Sequence, residues 1–293
     1  MTEPSTGLYW TDGVPFLALG AESAAPAGPG ATLRVAVEGP RGCVGHWRRG
    51  AGRQSCPFGE RIEATATDAQ CVACGNADAG RQVARDRAHD DGSPYRLYLA
   101  WFGDETIKVG ICSAARGTNR LTEQGALAYT FIADGTLAPI RAAEQTISGA
   151  GIATERVRLG RKPQLWWSAN PETGRARLLA AADQAGTAIA DLPKITTASP
   201  EVMHHTRQFG LDGELPSSYR PLTAVESGSV LGGRVLVASG RSLLLDTERG
   251  AVLLDARLIA GWRLTTSESA PSRLPLGLPV HPATSHATQP TLF

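Results

Sequence analysis

The chain has 293 residues, which is enough for about two compact domains. Hydrophobic residues make up 42% of it and charged residues 19%, and the 33 glycines and 19 prolines indicate a globular protein that is rich in loops. The formal net charge of +1 at pH 7 excludes a whole-chain electrostatic attraction to nucleic acid, so any such binding must depend on local clusters of charge.

Two strand-like runs precede the first cysteine. They cover residues 7–19 and 31–38 and are separated by a loop of alanine, proline and glycine at 21–30. We expect the two runs to form a β-hairpin that leads into the segment containing the cysteines.

Four of the five cysteines lie close together in the sequence: Cys43, Cys56, Cys71 and Cys74. The last two form a Cys-x-x-Cys-Gly motif, in which two thiolates can reach one tetrahedral Zn²⁺ while the glycine permits a tight turn. The first two are more widely spaced, and His46 could replace Cys56 as a ligand, although Cys56 is better placed. The spacing predicts a structural zinc site formed by the four cysteines.

The chain has no signal peptide and no long apolar run, so we expect a cytoplasmic protein with no membrane partner. Disulfides rarely persist inside cells, and clustered thiols therefore favour a metal over disulfides, free core cysteines or a redox pair. Cys112 lies apart, within a predicted strand, and is expected to be a small buried apolar residue. These observations assign residues 1–92 to an N-terminal domain with the β-hairpin and the zinc module.

Residues 96–112 are predicted to form two antiparallel strands. Strand periodicity covers 96–102, residues 103–105 are a turn signal, and 106–112 is a second short apolar run interrupted by Lys108. A helix is expected to begin near Thr118. Lys108 is one of three lysines in a chain with 26 arginines, which suggests a position that requires a compact, titratable ammonium group. The alternative is a snorkelling lysine on an edge strand.

The order of polar residues in this region resembles the core of the GIY-YIG nucleases. Tyr98 keeps the tyrosine of the first strand, and Lys108-Val-Gly110 stands where Tyr-Ile-Gly is usual. Arg120 begins the Arg-x-x-x-His helix motif, with Gln124 in place of the histidine, and Glu144 fits the glutamate of a later helix. The resemblance covers about residues 95–160. It implies a small antiparallel sheet with flanking helices in a core domain at 93–165.

The resemblance also implies a chemistry, the cleavage of phosphodiester bonds in DNA or RNA. Tyr98 would position or deprotonate a water, with Lys108 close enough to lower its pKa. Arg120 would bind a phosphate oxygen, Gln124 would contact nucleic acid beside it, and Glu144 would hold one Mg²⁺ or Mn²⁺. The alternatives are an ordinary strand tyrosine with solvated helix charges, and a site that binds nucleic acid without cutting it.

Over its whole length the chain is similar to a bacterial family catalogued as domain of unknown function 2797. The similarity rests on the cysteines and on three motifs: Tyr-Leu-Ala-Trp-Phe-Gly-Asp at 98–104, Lys-Val-Gly-Ile at 108–111 and Glu-Gln-Gly-Ala at 123–126. The family name implies no activity.

A basic cluster follows the predicted core helices, and it consists of Arg156, Arg158, Arg161 and Lys162. Two tryptophans, Trp166 and Trp167, come next. Basic groups beside aromatic rings are suited to bind a nucleic-acid backbone and to stack on bases. The alternative is a solvated turn that packs the two tryptophans into a core.

The C-terminal part contains one predicted helix and several short strands. An alanine-rich helix is predicted at 176–185, ended by Gly186. Short apolar runs at 229–238, 241–246 and 250–255, separated by glycine-bearing turns, predict a small antiparallel barrel or sheet. These elements define a third domain at 166–265. Residues 266–293, rich in Ser, Thr, Pro and Ala, are predicted to be a disordered tail.

Together these features predict an α+β protein that binds nucleic acid and is a candidate metal-dependent endonuclease. The competing hypotheses are a zinc-containing module that binds DNA or RNA without cutting it, and an interaction protein in which the fold persists without a nucleic-acid role.

Overall fold

A computed structural model describes residues 3–20, 23–84 and 90–282. The protein is a mixed α and β structure with several small sheets and few helices, as the sequence predicted. The chain divides into two compact units. The first contains the described residues up to 84 together with 219–280, and the second contains residues 90–218 with 281 and 282.

The strands of the described residues are β1 (Leu8–Thr11), β2 (Val14–Ala18), β3 (Ala24–Pro26), β4 (Thr32–Glu38), β5 (His46–Arg48), β6 (Gly52–Gln54), β7 (Tyr95–Trp101), β8 (Ile107–Ser113), β9 (Ala128–Gly135), β10 (Ile195–Thr197), β11 (Met203–His204), β12 (Arg220–Pro221), β13 (Val230–Ser239), β14 (Ser242–Thr247), β15 (Gly250–Asp255) and β16 (Arg263–Thr266). The α-helices are α1 (Val72–Ala77), α2 (Ala79–Ala84), α3 (Asn119–Gln124), α4 (Leu137–Gly149), α5 (Pro171–Ile189) and α6 (Thr206–Phe209).

The first unit contains three sheets. Strands β1, β2 and β3 form one, β5 and β6 form a two-stranded hairpin, and the largest has the order β12-β15-β14-β13-β4-β16. Strand β4 lies inside the largest sheet because Leu33, Val35 and Val37 alternate with less buried neighbours and direct one face into the core. In the described residues the C-terminal strands thus form an open sheet and not a closed barrel.

The N-terminal hairpin differs from the prediction. The run at 7–19 forms a hairpin by itself, because β1 and β2 pair across the turn at Asp12-Gly13. The run at 31–38 becomes β4 and pairs antiparallel with β13 and β16, more than 190 residues further along the chain. Local periodicity identifies a strand but not its partner, and this is why the predicted pairing was wrong.

Two C-terminal expectations also change. The helix predicted at 176–185 is α5, which starts earlier because Asn170 accepts a hydrogen bond from the Thr173 N–H at 3.0 Å, and which continues through Gly186.

The predicted tail at 266–293 is described as far as residue 282. Its described part is not disordered, because Leu276 and Val280 form backbone bridges with Leu222 and Tyr219. Residues 283–293 of that prediction lie outside the described residues.

The second unit is built on one sheet. Its order is β10-β9-β7-β8, and β11 pairs with the other end of β9. The central strand β7 is buried on both faces. One face packs Tyr98, Ala100 and Phe102 against Leu121 of α3 and Leu165. On the other face Trp101 lies against Gly174 of α5.

A buried arginine connects distant parts of the first unit. Arg41 is almost fully buried, and its guanidinium donates hydrogen bonds to five backbone carbonyls. Three of these belong to the loop at 63–66 beside the cysteines, and two belong to residues 257 and 260 before β16. Burial lowers the pKa of Arg41. The planar guanidinium, with its five N–H donors, suits this set of acceptors. A lysine has only three donors on one nitrogen and could not replace it.

The described residues include no helix with both the length and the apolar character needed to cross a membrane.

The Arg41 contacts lead to a stability prediction. Arg41→Leu should lower the free energy of unfolding by about 3–5 kcal/mol, because it leaves buried carbonyls without donors. Arg34→Leu is the matched control, since Arg34 is exposed and makes a single long bond of 3.4 Å to the Glu268 carbonyl. The control should change stability by less than about 0.5 kcal/mol. Urea unfolding followed by circular dichroism measures both, and equal effects would contradict the structural role of Arg41.

Candidate functional site

The pairing of β7 with β8 places Tyr98 and Lys108 on the same face of the sheet. The two strands are antiparallel, as predicted, with Tyr98 opposite Gly110 and Ala100 opposite Lys108. Directly opposed residues of an antiparallel pair share a face, and so do residues two apart on one strand. The register therefore brings the Tyr98 hydroxyl and the Lys108 ammonium towards the same point.

That point is the space above Gly110. A Cβ atom on residue 110 would lie 2.3 Å from the Tyr98 hydroxyl oxygen and 2.6 Å from Lys108 Nζ. Both distances are far below any van der Waals contact. The missing side chain of Gly110 is thus what allows the two polar groups to meet.

Helix α3 contributes the next polar groups. It begins after Thr118, as predicted, and Gln124 in its last turn donates a hydrogen bond to the Tyr98 hydroxyl at 2.6 Å. Arg120, four residues earlier, is partly exposed, and its charge acts on Tyr98, Lys108 and Cys112. Residues four apart share one helix face. Helix α3 therefore carries a neutral donor and a cation on the side that faces the strands.

The electrostatics of the cluster differ from the expectation that Lys108 lowers the pKa of Tyr98. Tyr98 is only 1% exposed, and burial raises its pKa to about 12 in spite of Arg120 and the bond from Gln124. Burial lowers the pKa of Lys108 to about 8, while Glu144 acts in the opposite direction. Desolvation disfavours the charged form of each group, so it moves these two pKa values in opposite directions. The tyrosine remains neutral at pH 7, and the lysine is the group that titrates near neutrality.

Lys108 is not a snorkelling surface lysine. Its Nζ donates to the Val109 carbonyl at 2.9 Å and lies 5.5 Å from the centre of the Tyr98 ring. The edge beyond β8 is also covered beside Lys108, because the Val109 N–H donates to the Thr154 carbonyl and the Thr154 N–H donates to the Ile107 carbonyl. The ammonium group is therefore held inside the cluster.

Glu144 approaches the other groups from α4 and is buried. It is 5% exposed, and its carboxylate accepts a bond from Arg141 Nη1 at 2.6 Å. Burial raises its pKa, whereas Arg141 and Lys108 lower it. Helix α4 packs against β7 and β8, so its inward face carries this carboxylate into the interior. The charge of this buried carboxylate acts on both Lys108 and Tyr98.

The predicted basic cluster divides into two parts. Arg156, Arg158 and Arg161 are exposed, as a backbone-binding surface requires. Lys162 instead points inward, where its Nζ donates to the Gln124 carbonyl at 2.6 Å and lies 4.1 Å from the centre of the Phe102 ring. It supports the helix end that holds Tyr98 and does not lie on an open binding surface.

The adjacent tryptophans pack into the second unit. Both belong to a 3₁₀-helical segment, Leu159–Ser168. Trp166 is buried, and Trp167 Nε1 donates to the Pro216 carbonyl at 2.8 Å. Packing of the tryptophans, the alternative considered for this segment, is what the structure has. The ring of Trp166 is therefore not available for base stacking, and Trp167 is half-buried.

The four clustered cysteines meet at one point in the first unit. The Sγ atoms of Cys43, Cys56, Cys71 and Cys74 all lie within 4.8 Å of one another, and each thiol is free. A tetrahedral zinc with Zn–S bonds of about 2.3 Å separates its sulfurs by roughly 3.8 Å. The Cys56 and Cys71 sulfurs are 3.9 Å apart, so the donor set has the size of such a site.

Backbone N–H groups surround the sulfurs. Cys43 Sγ accepts from the N–H groups of Gly45 and Cys71, and Cys71 Sγ accepts from that of Cys74. Gly45 is required in its turn, because its φ is +74° and a Cβ there would lie 1.9 Å from the Gln54 carbonyl oxygen. N–H groups directed at sulfur favour the thiolate form that binds metal. His46, the alternative ligand, is not part of the four-thiol group.

Cys112 lies in the other unit, as expected from its position in β8. It is buried in the apolar cluster that also contains Leu121 and Tyr129, and burial raises its pKa to about 11. A thiol in such surroundings is a packing residue.

The family model described as "Protein of unknown function (DUF2797)" matches residues 30–264, well over half of the chain. The chain belongs to this family. The match spans the four cysteines of this DUF2797 protein and also its Tyr98 cluster, which comprises Tyr98, Lys108, Arg120, Gln124 and Glu144. Comparisons with curated proteins and with solved structures found no match.

Two residues that shape the Tyr98 cluster of the DUF2797 protein were not assigned roles from sequence. Gly110 was noted only as part of a motif, and Arg141 was not considered. A glycine directly opposite an aromatic residue in a predicted hairpin is a signal for close approach. The spacing of Arg141 and Glu144, three apart in a predicted helix, is a signal for an ion pair.

The pKa of Lys108 leads to a stability prediction for the DUF2797 protein. Between pH 8 and the ordinary value of 10.5, an unfolded chain keeps a proton that the folded Lys108 has released. Stability therefore rises with pH across this window, and the buried charge destabilises the fold below it. Lys108→Met should raise the free energy of unfolding at pH 7 by about 1–2 kcal/mol, and this gain should shrink towards pH 10.

Urea unfolding at a series of pH values measures this difference. The exposed Lys194→Met variant is the control and should show no pH-dependent gain. A Lys108→Met variant that is destabilised equally at pH 7 and pH 10 would show that the ammonium group is not desolvated.

Proposed function

We propose that this DUF2797 protein binds nucleic acid at the Tyr98 cluster and cleaves its phosphodiester bonds with a divalent cation, and that its four clustered cysteines hold a structural zinc ion. The Tyr98 cluster comprises Tyr98, Lys108, Arg120, Gln124 and Glu144. The observation that carries the proposal is the convergence of the tyrosine hydroxyl and the lysine ammonium above Gly110, with the other three groups acting on them.

The pKa values suggest separate roles for the two strand residues. Lys108, with a pKa of about 8, has a neutral fraction near pH 7 and can accept the proton of an attacking water. Tyr98 remains protonated, accepts a hydrogen bond from Gln124, and can donate a hydrogen bond to that water or to a phosphate oxygen. The expectation from sequence was that Tyr98 would position or deprotonate the water; in this proposal Tyr98 positions the water and Lys108 deprotonates it.

Cationic side chains on the same face supply a path for phosphates. Arg96, Arg116 and Arg120 all act electrostatically on Cys112, so they lie around one part of the sheet. Each is partly exposed and also faces a carboxylate: Arg96 pairs with Asp134, and Arg116 pairs with Glu123. Exposed ion pairs contribute little stability, so a phosphate can replace a carboxylate at low cost.

Glu144 would supply one carboxylate ligand for Mg²⁺ or Mn²⁺, which keeps several waters.

A second candidate function is nucleic-acid binding without cleavage. Two observations favour it. The carboxylate of Glu144 is already bound by Arg141 at 2.6 Å, and Gln124 stands where the resembled nucleases have a histidine. The amide of Gln124 cannot transfer a proton at neutral pH. It can still form a hydrogen bond, but it cannot act as the acid or base that a histidine could be.

A cleavage screen with Mg²⁺ and Mn²⁺ on single-stranded and duplex DNA and RNA tests the first candidate. Glu144→Gln and Arg120→Ala should each lower the cleavage rate by at least about 10²-fold, because each removes an electrostatic contributor to the transition state. If neutral Lys108 is the base, the rate should rise with pH to a plateau near its pKa of about 8.

Exposed charges of the same unit provide matched controls. Glu105→Gln and Arg207→Ala alter the same residue types at exposed positions, where Glu105 pairs with Arg177 and Arg207 with Asp212, and should leave the rate unchanged. Circular dichroism should verify that Glu144→Gln folds, since this residue is buried. Salt-sensitive binding without cleavage by the unaltered protein supports the second candidate. If the unaltered protein neither binds nor cleaves nucleic acid, both candidate functions are contradicted.

The zinc proposal has its own test. Protein purified without added metal should contain about one equivalent of zinc per chain, because four thiols at this spacing bind Zn²⁺ tightly. Cys71→Ser should lose the metal and destabilise the first unit, since metal affinity is part of its folding free energy. Cys112→Ser is the matched control and should keep the zinc. Elemental analysis and thermal unfolding measure both effects, and a folded, zinc-free wild-type protein would contradict the proposal.

A further inference from the structure

Residues 41–76, which include the four clustered cysteines, form the cysteine module. This module carries three large apolar side chains that are open to solvent. Trp47 is 51% exposed, Phe58 is 67% exposed and Val72 is 83% exposed. Each lies close in sequence to a clustered cysteine: Trp47 follows Cys43, Phe58 follows Cys56, and Val72 is next to Cys71. Because the four sulfurs lie within 4.8 Å of one another, the segments that carry these side chains converge on the four-thiol group.

The packing of the unit does not account for this exposure. Burying one such side chain contributes about 1.5–3 kcal/mol, so leaving two aromatic rings in water forgoes that stabilisation. The backbone beneath them is nevertheless firmly held. The Trp47 N–H donates to Asp78 at 2.9 Å, and the backbone of Cys71 donates to the Cys43 sulfur at 3.2 Å. The rings are therefore presented by an ordered framework.

The first part of the module, residues 41–61, is basic although the whole chain is nearly neutral, and the acidic residues Glu63 and Asp68 follow it. Between residues 41 and 61 there are five arginines and a single acidic residue, Glu60. Arg41 is buried, and Arg53 donates from Nη1 to the Val44 carbonyl at 2.7 Å, where burial lowers its pKa. The remaining three arginines are exposed: Arg48, Arg49 and Arg61. Arg53 stands directly opposite Trp47 in the β5–β6 hairpin, so a cation and an exposed indole share one face.

We propose that this surface binds single-stranded nucleic acid. Trp47 and Phe58 would stack on unpaired bases, Val72 would extend the apolar contact, and Arg48 and Arg61 would neutralise phosphates. Aromatic rings interleaved with arginines match the alternation of bases and phosphates along a single strand, whereas a duplex hides the faces of its bases. The excess of positive charge selects a polyanion over an apolar protein partner.

This surface is separate from the Tyr98 cluster, which lies in the other unit, and the proposal does not depend on cleavage there. Binding at the cysteine module would give the protein an affinity for single strands even if the Tyr98 cluster were chemically silent. RNA and DNA offer the same bases and phosphates to such a surface, so both belong in the test.

The test uses the full-length, zinc-loaded protein without added Mg²⁺ or Mn²⁺. Fluorescence anisotropy of labelled oligo(dT), oligo(U) and a DNA duplex, each of about 20 nucleotides, measures affinity over a series of salt concentrations. Trp47→Ala and Phe58→Ala should each weaken single-strand binding about tenfold, and Trp47→Phe should restore most of it. Arg48→Gln should reduce the slope of log affinity against log salt by about 0.7, the contribution of one phosphate contact.

Leu278→Ala is the matched control, because Leu278 is another highly exposed apolar residue of the same unit and lies outside the cysteine module. It should bind as the unaltered protein does. Zinc content is measured for every variant. If Trp47→Ala loses zinc, then Trp47→Phe and Arg48→Gln decide the question, since neither removes a group that supports the sulfurs.

Several results would overturn the proposal. Unaltered single-strand affinity in Trp47→Ala and Phe58→Ala would do so, as would tighter binding of the duplex. Binding lost in Arg120→Ala but kept in Trp47→Ala would locate the contact at the Tyr98 cluster. A self-associated protein that Phe58→Ala converts to a monomer, with no oligonucleotide binding, would assign the surface to a second copy of the chain.

Discussion

The candidate site depends on the two-sided pairing of β7. This strand is hydrogen-bonded to β8 along one edge and to β9 along the other, and both of its faces are buried. A one-residue slip would turn Tyr98 to the opposite face, so the register is strongly constrained by the core. Because β7 cannot move, the polar groups above Gly110 are held in place by apolar packing that surrounds them.

The cluster combines groups that a purely structural core would avoid. A tyrosine, a lysine and a glutamate lie together with little access to water, and each has a pKa displaced by burial. Hydrogen bonds from Gln124 and Arg141 compensate part of the desolvation cost. Buried titratable groups with displaced pKa values are concentrated at functional sites in proteins, although ion-pair networks with a structural role also displace them. The unequal pKa values of Tyr98 and Lys108 are what a proton-transfer step requires.

Local signals predicted the second unit better than the first. Strand periodicity and the turn at 103–105 were sufficient for the β7–β8 hairpin, and hence for the shared face of Tyr98 and Lys108. Local signals could not predict the partner strands of β4 or the inward direction of the Lys162 side chain, because both depend on residues that are distant in sequence. Cysteine spacing identified the four-thiol group because ligand chemistry restricts the alternatives. The burial of Glu144 required knowledge of which face of α4 packs against the sheet.

The long-range pairing of β4 has a consequence for synthesis of the chain. Its partners β13 and β16 leave the ribosome more than 190 residues later, after every residue from 90 to 218. At about 5–20 residues per second this delay is roughly ten to forty seconds. During that interval β4 is an apolar strand with free edges, which is a hazard for aggregation. Nascent chains of this protein are therefore most vulnerable before the C-terminal strands appear, and premature termination near residue 220 would leave β4 without either of its partner strands.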